Sequence, residues 1–202
     1  MSENTNNLSG LWANETLIYS KGGKVKSSTI SKLFYDNLRK SKIYDYDTND
    51  IISNLSDAEN VYIDVTKRNL RILDSKADKF SKITKIIKMN TISLVRLTME
   101  GKYVTEVTPY FKFMKKYGHE TKPLEAIVIS KGDKLKSSNI NKLIGNKYND
   151  NKVAMKIKRD YGLNSDFREV LNKEILTLDV EVFNLETETG GFDTLGLYYP
   201  EN

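Results

Sequence analysis

Cysteine is absent from this 202-residue chain, and histidine occurs once, at His119. The first absence excludes disulfides and thiolate metal sites, and the second excludes a histidine-rich metal centre. No apolar run approaches the length of a membrane-spanning helix. The opening stretch MSENTNNLSG has no basic head and no apolar core, so it does not read as a signal peptide. A cytosolic location without membrane contact is the expectation. The phosphate-binding pattern G-x-x-x-x-G-K-[ST] is missing. His119 follows Gly118 in a polar stretch with no nucleophile or base in view. Glu120-Thr121-Lys122 matches only the end of a nuclease-type acidic motif, and Asp64 and Asp179 read as solvated strand residues. A non-catalytic protein without a cofactor or metal is therefore expected.

What is present is a globular composition with uneven charge. Hydrophobic residues make up 39% and charged residues 29%, and twelve Tyr and seven Phe supply core mass that a disordered chain would lack. Frequent Lys, Asn, Ile and Tyr suit an AT-rich genome, such as that of a low-GC bacterium or its phage. The net charge of +5 hides a strong asymmetry. Residues 1–75 carry 10 basic and 10 acidic side chains, residues 76–159 carry 20 and 7, and residues 160–202 carry 2 and 10. A basic middle suits an anionic partner. It suits equally an acidic C-terminal segment that folds back upon it.

The chain also repeats itself. ETLIYSKGGKVKSSTISKL at 15–33 returns as EAIVISKGDKLKSSNINKL at 125–143, with 11 of 19 positions identical and no gap. The fold class expected is α+β: internally duplicated units of antiparallel hairpins plus a helix, arranged about a possible pseudo-twofold. Its parts are a flexible N-terminus at 1–14, repeat unit one at 15–75, a basic central segment at 76–122, and repeat unit two at 123–202 with acidic C-terminal strands. Leu11 and Trp12 offer an anchor for the N-terminal stretch.

In the first unit, LIYSK and KVKSS flank Gly22-Gly23 as a hairpin; a helix-turn-helix is the alternative. The β-branched run IVIS in the second copy favours the hairpin. Ser27 and Ser28, with Ser137 and Ser138, are candidate N-caps. A helix to about Ser41 follows in copy one, with Ile30, Leu33, Phe34 and Leu38 on one face. Copy two breaks at Gly145-Asn146 and resumes near Val153–Tyr161. A short helix is expected around Asp50–Leu55. VYIDV and LRIL form a hairpin about Thr66–Asn69, and ILTLDVEVF alternates as a strand. A turn near Gly190-Gly191 leads to a last strand at Tyr198-Tyr199. In the middle, 76–88 reads as an amphipathic helix with Phe80, Ile83 and Ile87 inward, ISLVRLTM and KYVTEV as a hairpin about Glu100-Gly101, and Thr108 to Gly118 as a capped helix.

The candidate site is a set of lysines. Both copies keep Lys21, Lys24, Lys26 and Lys32 against Lys131, Lys134, Lys136 and Lys142. In the hairpin, Lys21 faces Lys24 and Lys131 faces Lys134, and like charges directly opposite cost stability. A local rule broken twice suggests anion binding, while lysines that merely protect sheet edges are the bland alternative. Lys82, Lys85 and Lys88 form a second basic group, solvated or laid along a phosphate backbone. Aromatics among lysines at 102–117 suit single-stranded nucleic acid, although Tyr110, Phe113 and Met114 at helical spacing favour a core role. The function expected is a non-catalytic regulator that binds nucleic acid or a nucleoprotein machine. Alternatives are a protein–protein inhibitor or adaptor module and, last, an enzyme for phosphorylated substrates.

Overall fold

The computed structural model describes residues 9–74, 76–77, 79–138, 165–194 and 196–200. Strands dominate it. The order is β1 (Leu11–Trp12), β2 (Thr16–Lys21), β3 (Lys24–Thr29), α1 (Ile30–Leu38), β4 (Ile43–Asp45), β5 (Ile51–Ile52), β6 (Val61–Asp64) and β7 (Leu70–Asp74). There follow β8 (Lys79–Met99), β9 (Tyr103–Val107), β10 (Lys112–Tyr117), β11 (Glu120–Glu125), β12 (Lys134–Lys136), β13 (Phe167–Thr187), β14 (Phe192–Asp193) and β15 (Tyr198–Tyr199). The expected α+β class is thus corrected to a mostly β fold, with α1 the one α-helix among the described residues.

The spine is the antiparallel pair β8–β13, two 21-residue strands in register from Val170↔Met99 to Thr187↔Ile83, with three shifts along the way. Every other strand of the main sheet hangs on this pair. β1 lies between β13 and β9, β6 and β7 pair with β8, and β12 joins β13 to β10. Both faces of β8 are covered. Ile83 and Ile86 belong to the large core with Phe34, Val95 and Phe183, while Ile87, Met89 and Leu94 form a second cluster with Tyr62 and Val182. Each fully buried Ile, Leu or Phe contributes about 1.5–3 kcal/mol.

That two-sided burial explains the largest correction. The segment 76–88 is no helix; from Lys79 it is strand. Burial on both faces erases the period-2 signal, and Ile83 and Ile87, four apart, imitate a helical stripe while facing different clusters. Likewise the helix expected after Thr108 is a turn, with Tyr110 exposed, that leads into β10; Phe111 just before the strand and Phe113 within it are both buried. The expected 61–73 hairpin has the right strands but the wrong partners: β6 pairs with β4 and β8, and β7 with β2 and β8. Around Asp50–Leu55 lie β5 and a 3₁₀ turn at Leu55–Asp57.

Other expectations hold. β2 and β3 form the Gly22-Gly23 hairpin, both glycines with positive φ (59° and 77°), in the register that sets Lys21 against Lys24. Ile30, Leu33 and Phe34 are buried on α1, although its N-cap is Thr29 and not Ser27 or Ser28. Met99 pairs with Tyr103 across the Glu100-Gly101 turn. On β13, Leu176, Leu178 and Val180 are half-buried, whereas Thr177, Asp179 and Glu181 are exposed.

The duplicated segments do not share a path. In copy one the arm before the turn is β2, but in copy two Ala126–Val128 is 3₁₀ and Ile129 a buried loop residue. What the copies share is a turn with positive-φ glycine, then a short strand with an inward apolar residue (Val25, Leu135) between lysines. The expected helix of copy two, its break at Gly145-Asn146, the resumption near Val153–Tyr161 and Lys142 all lie outside the described residues.

Candidate functional site

Where the chain enters β1 it is buried, not frayed. Ser9 is 8% exposed, and its Oγ has no hydrogen-bond partner among the described residues. Leaving a buried hydroxyl unpaired costs about 1–3 kcal/mol, so such a group invites a role. Gly10 beside it is held at both backbone groups by one residue. Its N–H donates to Thr108 Oγ1 at 3.0 Å, and its carbonyl accepts from Thr108 N–H at 2.9 Å. Two successive peptide planes are thereby fixed. A Cβ at position 10 would sit 2.8 Å from Val182 Cγ2, so only glycine lets the backbone come this close to β13. Thr108 is 2% exposed at the exit of β9.

Leu11, fully buried, then pairs with Phe183 on one side and Val107 on the other. Beyond β1, the Glu15 carboxylate turns inward. Tyr103 Oη donates to Oε1, and Thr105 Oγ1 donates to Oε2 at 3.1 Å. Burial pushes the Glu15 carboxyl above its usual range, against the lowering effect of the Tyr103, Thr194 and Thr105 hydroxyls; Glu106 adds to the rise. Tyr103 and Tyr199 are likewise pushed well above the usual phenol range, first by burial and then by the Glu15 charge.

The network continues to the C-terminal strands. Tyr103 Oη lies 3.1 Å from Thr194 Oγ1, and Thr105 Oγ1 lies 3.2 Å from Tyr199 Oη. Arg168 stacks over the Tyr103 ring at 5.3 Å and donates to the carbonyls of Gly196 (3.1 Å) and Glu100 (2.9 Å). Gly196 has no room for a side chain: a Cβ would meet the Tyr103 ring at 2.4 Å.

The lysines are distributed differently from the expectation. Lys21, Lys24 and Lys26 are exposed on the β2–β3 hairpin, and Lys32 pairs with Asp36 at 3.5 Å on α1. Lys131 is exposed in a loop and does not oppose Lys134, which pairs in register with Glu169; Lys136 lies over Tyr198 at 5.8 Å. Lys82, Lys85 and Lys88 form ion pairs with Glu188 (3.8 Å), Glu186 (3.0 Å) and Glu181 (3.0 Å). The acidic C-terminal strand does fold back on the basic middle. No metal-holding group of three or more His, Asp or Glu occurs among the described residues. His119 sits exposed with Gly118 at the two-residue tip of the β10–β11 hairpin. No helix among the described residues is long and apolar enough to cross a membrane.

Sequence reasoning passed over Ser9, Gly10, Glu15 and Thr108 as a group. Glu15 stood inside the repeat, and Thr108-Pro109 was visible as a cap signal, but nothing local connects residue 10 to residue 108.

No protein family and no curated protein sequence matches the chain. Solved structures do match in shape. The KlbA intein precursor from Methanococcus jannaschii superposes with TM-score 0.69 at 13% identity, covering 98% of this chain and 94% of that one. The transcription factor IIB Mvu mini-intein gives 0.66 at 16%, covering 95% and 99%. The TvoVMA intein gives 0.62 at 18%, covering 94% and 95%. The fold, end to end, is the one these inteins have. This overturns the expected regulator: the matched structures are inteins, which are self-splicing domains, and not nucleic-acid-binding regulators. The non-catalytic reading and the nucleic-acid partner are corrected with it.

Proposed function

We propose that the chain is a self-processing domain that rearranges its own backbone at the Leu8–Ser9 bond, with the Ser9 hydroxyl as nucleophile. Ser9 Oγ attacks the Leu8 carbonyl carbon, an ester forms, the Leu8–Ser9 C–N bond breaks, and the hydroxyl proton ends on the released Ser9 amine. The observation that carries this reading is the buried Ser9 hydroxyl, unpartnered among the described residues, beside a glycine clamped at both backbone groups by Thr108. The fold supports it, because the inteins that share it are self-splicing.

Ser9 is a weak nucleophile at neutral pH, and no cysteine or second histidine exists to replace or activate it. Rate must therefore come from confinement. Fixing the peptide planes at residue 10 limits the orientations of Ser9 and substitutes for part of the entropy cost of the attack.

Hydroxylamine, which cleaves esters and spares amides, is the test. Treatment of the full chain should release residues 1–8 as a hydroxamate and leave a chain that begins at Ser9, both read by intact mass. Ser9→Ala should stay whole. Thr108→Ala should slow release by about 100-fold, the scale of a small misplacement of reacting groups. A wild-type chain that keeps its mass would refute the reading.

A further inference from the structure

The Glu15 carboxylate occupies a place that the chemistry at Ser9 does not itself require. It lies five residues beyond the Gly10 clamp, and both of its oxygens are bound to β9, the strand that leads into Thr108. Segment 10–15 is thus fastened to β9 at both ends: by Thr108 at residue 10 and by Tyr103 and Thr105 at residue 15. Between them, among the described residues, β1 pairs with β9 only at Leu11↔Val107, so the end fastenings carry the register. The same two hydroxyls contact Thr194 and Tyr199, beside and within the C-terminal strand pair.

We infer that Glu15 is a positioning residue that joins the N-terminal site segment to the C-terminal β14–β15 pair, so that both approach the Ser9 centre as one unit. Two further contacts make the joint stiff. Gly196 rests on the face of the Tyr103 ring, and Arg168 stacks over that ring while holding the Gly196 carbonyl. Tyr199 packs among Phe111, Phe113 and Phe192, so a shift of its ring reaches the turn that carries Thr108. Phe111 N–H also donates to the Thr108 carbonyl at 3.1 Å. The network therefore closes into a loop: Glu15, Thr105, Tyr199, Phe111, Thr108, Gly10. The function of this joint rests on the Ser9 reading; the joint itself does not.

Hydrogen exchange on the full chain tests the joint directly, with mass spectrometry reading peptides that cover 9–16, 192–199 and, as control, 43–64. Glu15→Ala should speed exchange in both 9–16 and 192–199 by about tenfold or more, with 43–64 unchanged. Glu15→Gln should restore protection in both, because its amide can accept from Tyr103 and donate to Thr105. Thr105→Val, which removes one link and keeps Glu15, should loosen 192–199. In the hydroxylamine assay Glu15→Ala should slow release at least about tenfold, and Glu15→Gln should recover it with the wild-type pH profile. Loosening of 9–16 alone would overturn the inference, as would equal loosening of 43–64. A glutamine variant as slow as alanine would assign Glu15 an ionised, chemical role instead. If the wild-type chain never releases residues 1–8, the Ser9 reading fails, while the exchange data still decide the joint.

Discussion

At Glu15, burial and hydrogen bonding pull in opposite directions. Three hydroxyls favour the ionised carboxylate, but desolvation outweighs them, and Glu106 adds a like charge. The groups that face it are Tyr103, Thr105, Thr194, Tyr199 and Glu106, with Arg168 behind the Tyr103 ring. Because its folded pKa is raised, the folded state holds this proton more tightly than the unfolded chain does. The stability it contributes is full below the usual carboxyl range and is lost as pH rises through the raised value. Glu15→Gln never ionises at this position. Its urea midpoint, measured beside the wild type from about pH 4 to 8, should gain on the wild type as pH rises and then level off. A constant gap across that range would mean that Glu15 titrates normally. Neither the raised carboxyl of Glu15 nor the buried hydroxyl of Ser9 is visible in residue type: the carboxyl's neighbours lie about 90 to 180 positions away, and the burial of Ser9 exists only in the fold.

Between elements, β8 and β13 are bound by more than their ladder. Lysines spaced along β8 meet glutamates of β13 and of the turn that follows it, so the basic middle and the acidic end neutralise each other. The innermost pair is Lys88–Glu181, where Lys88 is 8% exposed and Glu181 also accepts from Tyr35 Oη on α1 at 2.9 Å. Glu181→Ala would strand a buried ammonium and remove the Tyr35 hydrogen bond between α1 and the strand. It should cost about 1–3 kcal/mol, less than a fully buried pair because Glu181 is half-exposed, and lower the urea midpoint accordingly. Lys88→Met in the same background should recover most of the loss, since an apolar side chain of similar length fits that place. No recovery would mean that the Tyr35 bond, not the charge, carries the effect. The asymmetry of charge was legible in the sequence, but its meaning was not. Both a polyanion site and internal pairing satisfy the same counts, and only the register of β8 on β13 separates them.

For the whole molecule, the spine joins residues about 70 to 100 positions apart, and β1 reaches across to β9 and β13. Closing such loops costs chain entropy before the contacts that reward it can form. Refolding from denaturant, followed by the fluorescence of Trp12, should therefore take milliseconds to seconds or longer, as in other non-local β folds. A microsecond phase that recovers the full amplitude would contradict a spine assembled from distant strands.

The sequence by itself determined the local pieces: the Gly22-Gly23 hairpin with its opposed lysines, the inward face of α1, the alternation of β13, and the turn at Glu100-Gly101. Each rests on a short-range rule, either a turn that needs positive φ or a side-chain period with one buried face. Tertiary structure decided the rest. Residues 79–88 are strand because both faces are covered, which cancels the period that would have marked them. The two repeats part company because in copy two Lys134–Lys136, after the turn, pairs with β10 and β13 rather than with the segment before the turn. The candidate site exists only in the fold, since Ser9, Gly10, Glu15, Thr108 and Tyr199 become neighbours through strand pairings that no local pattern encodes.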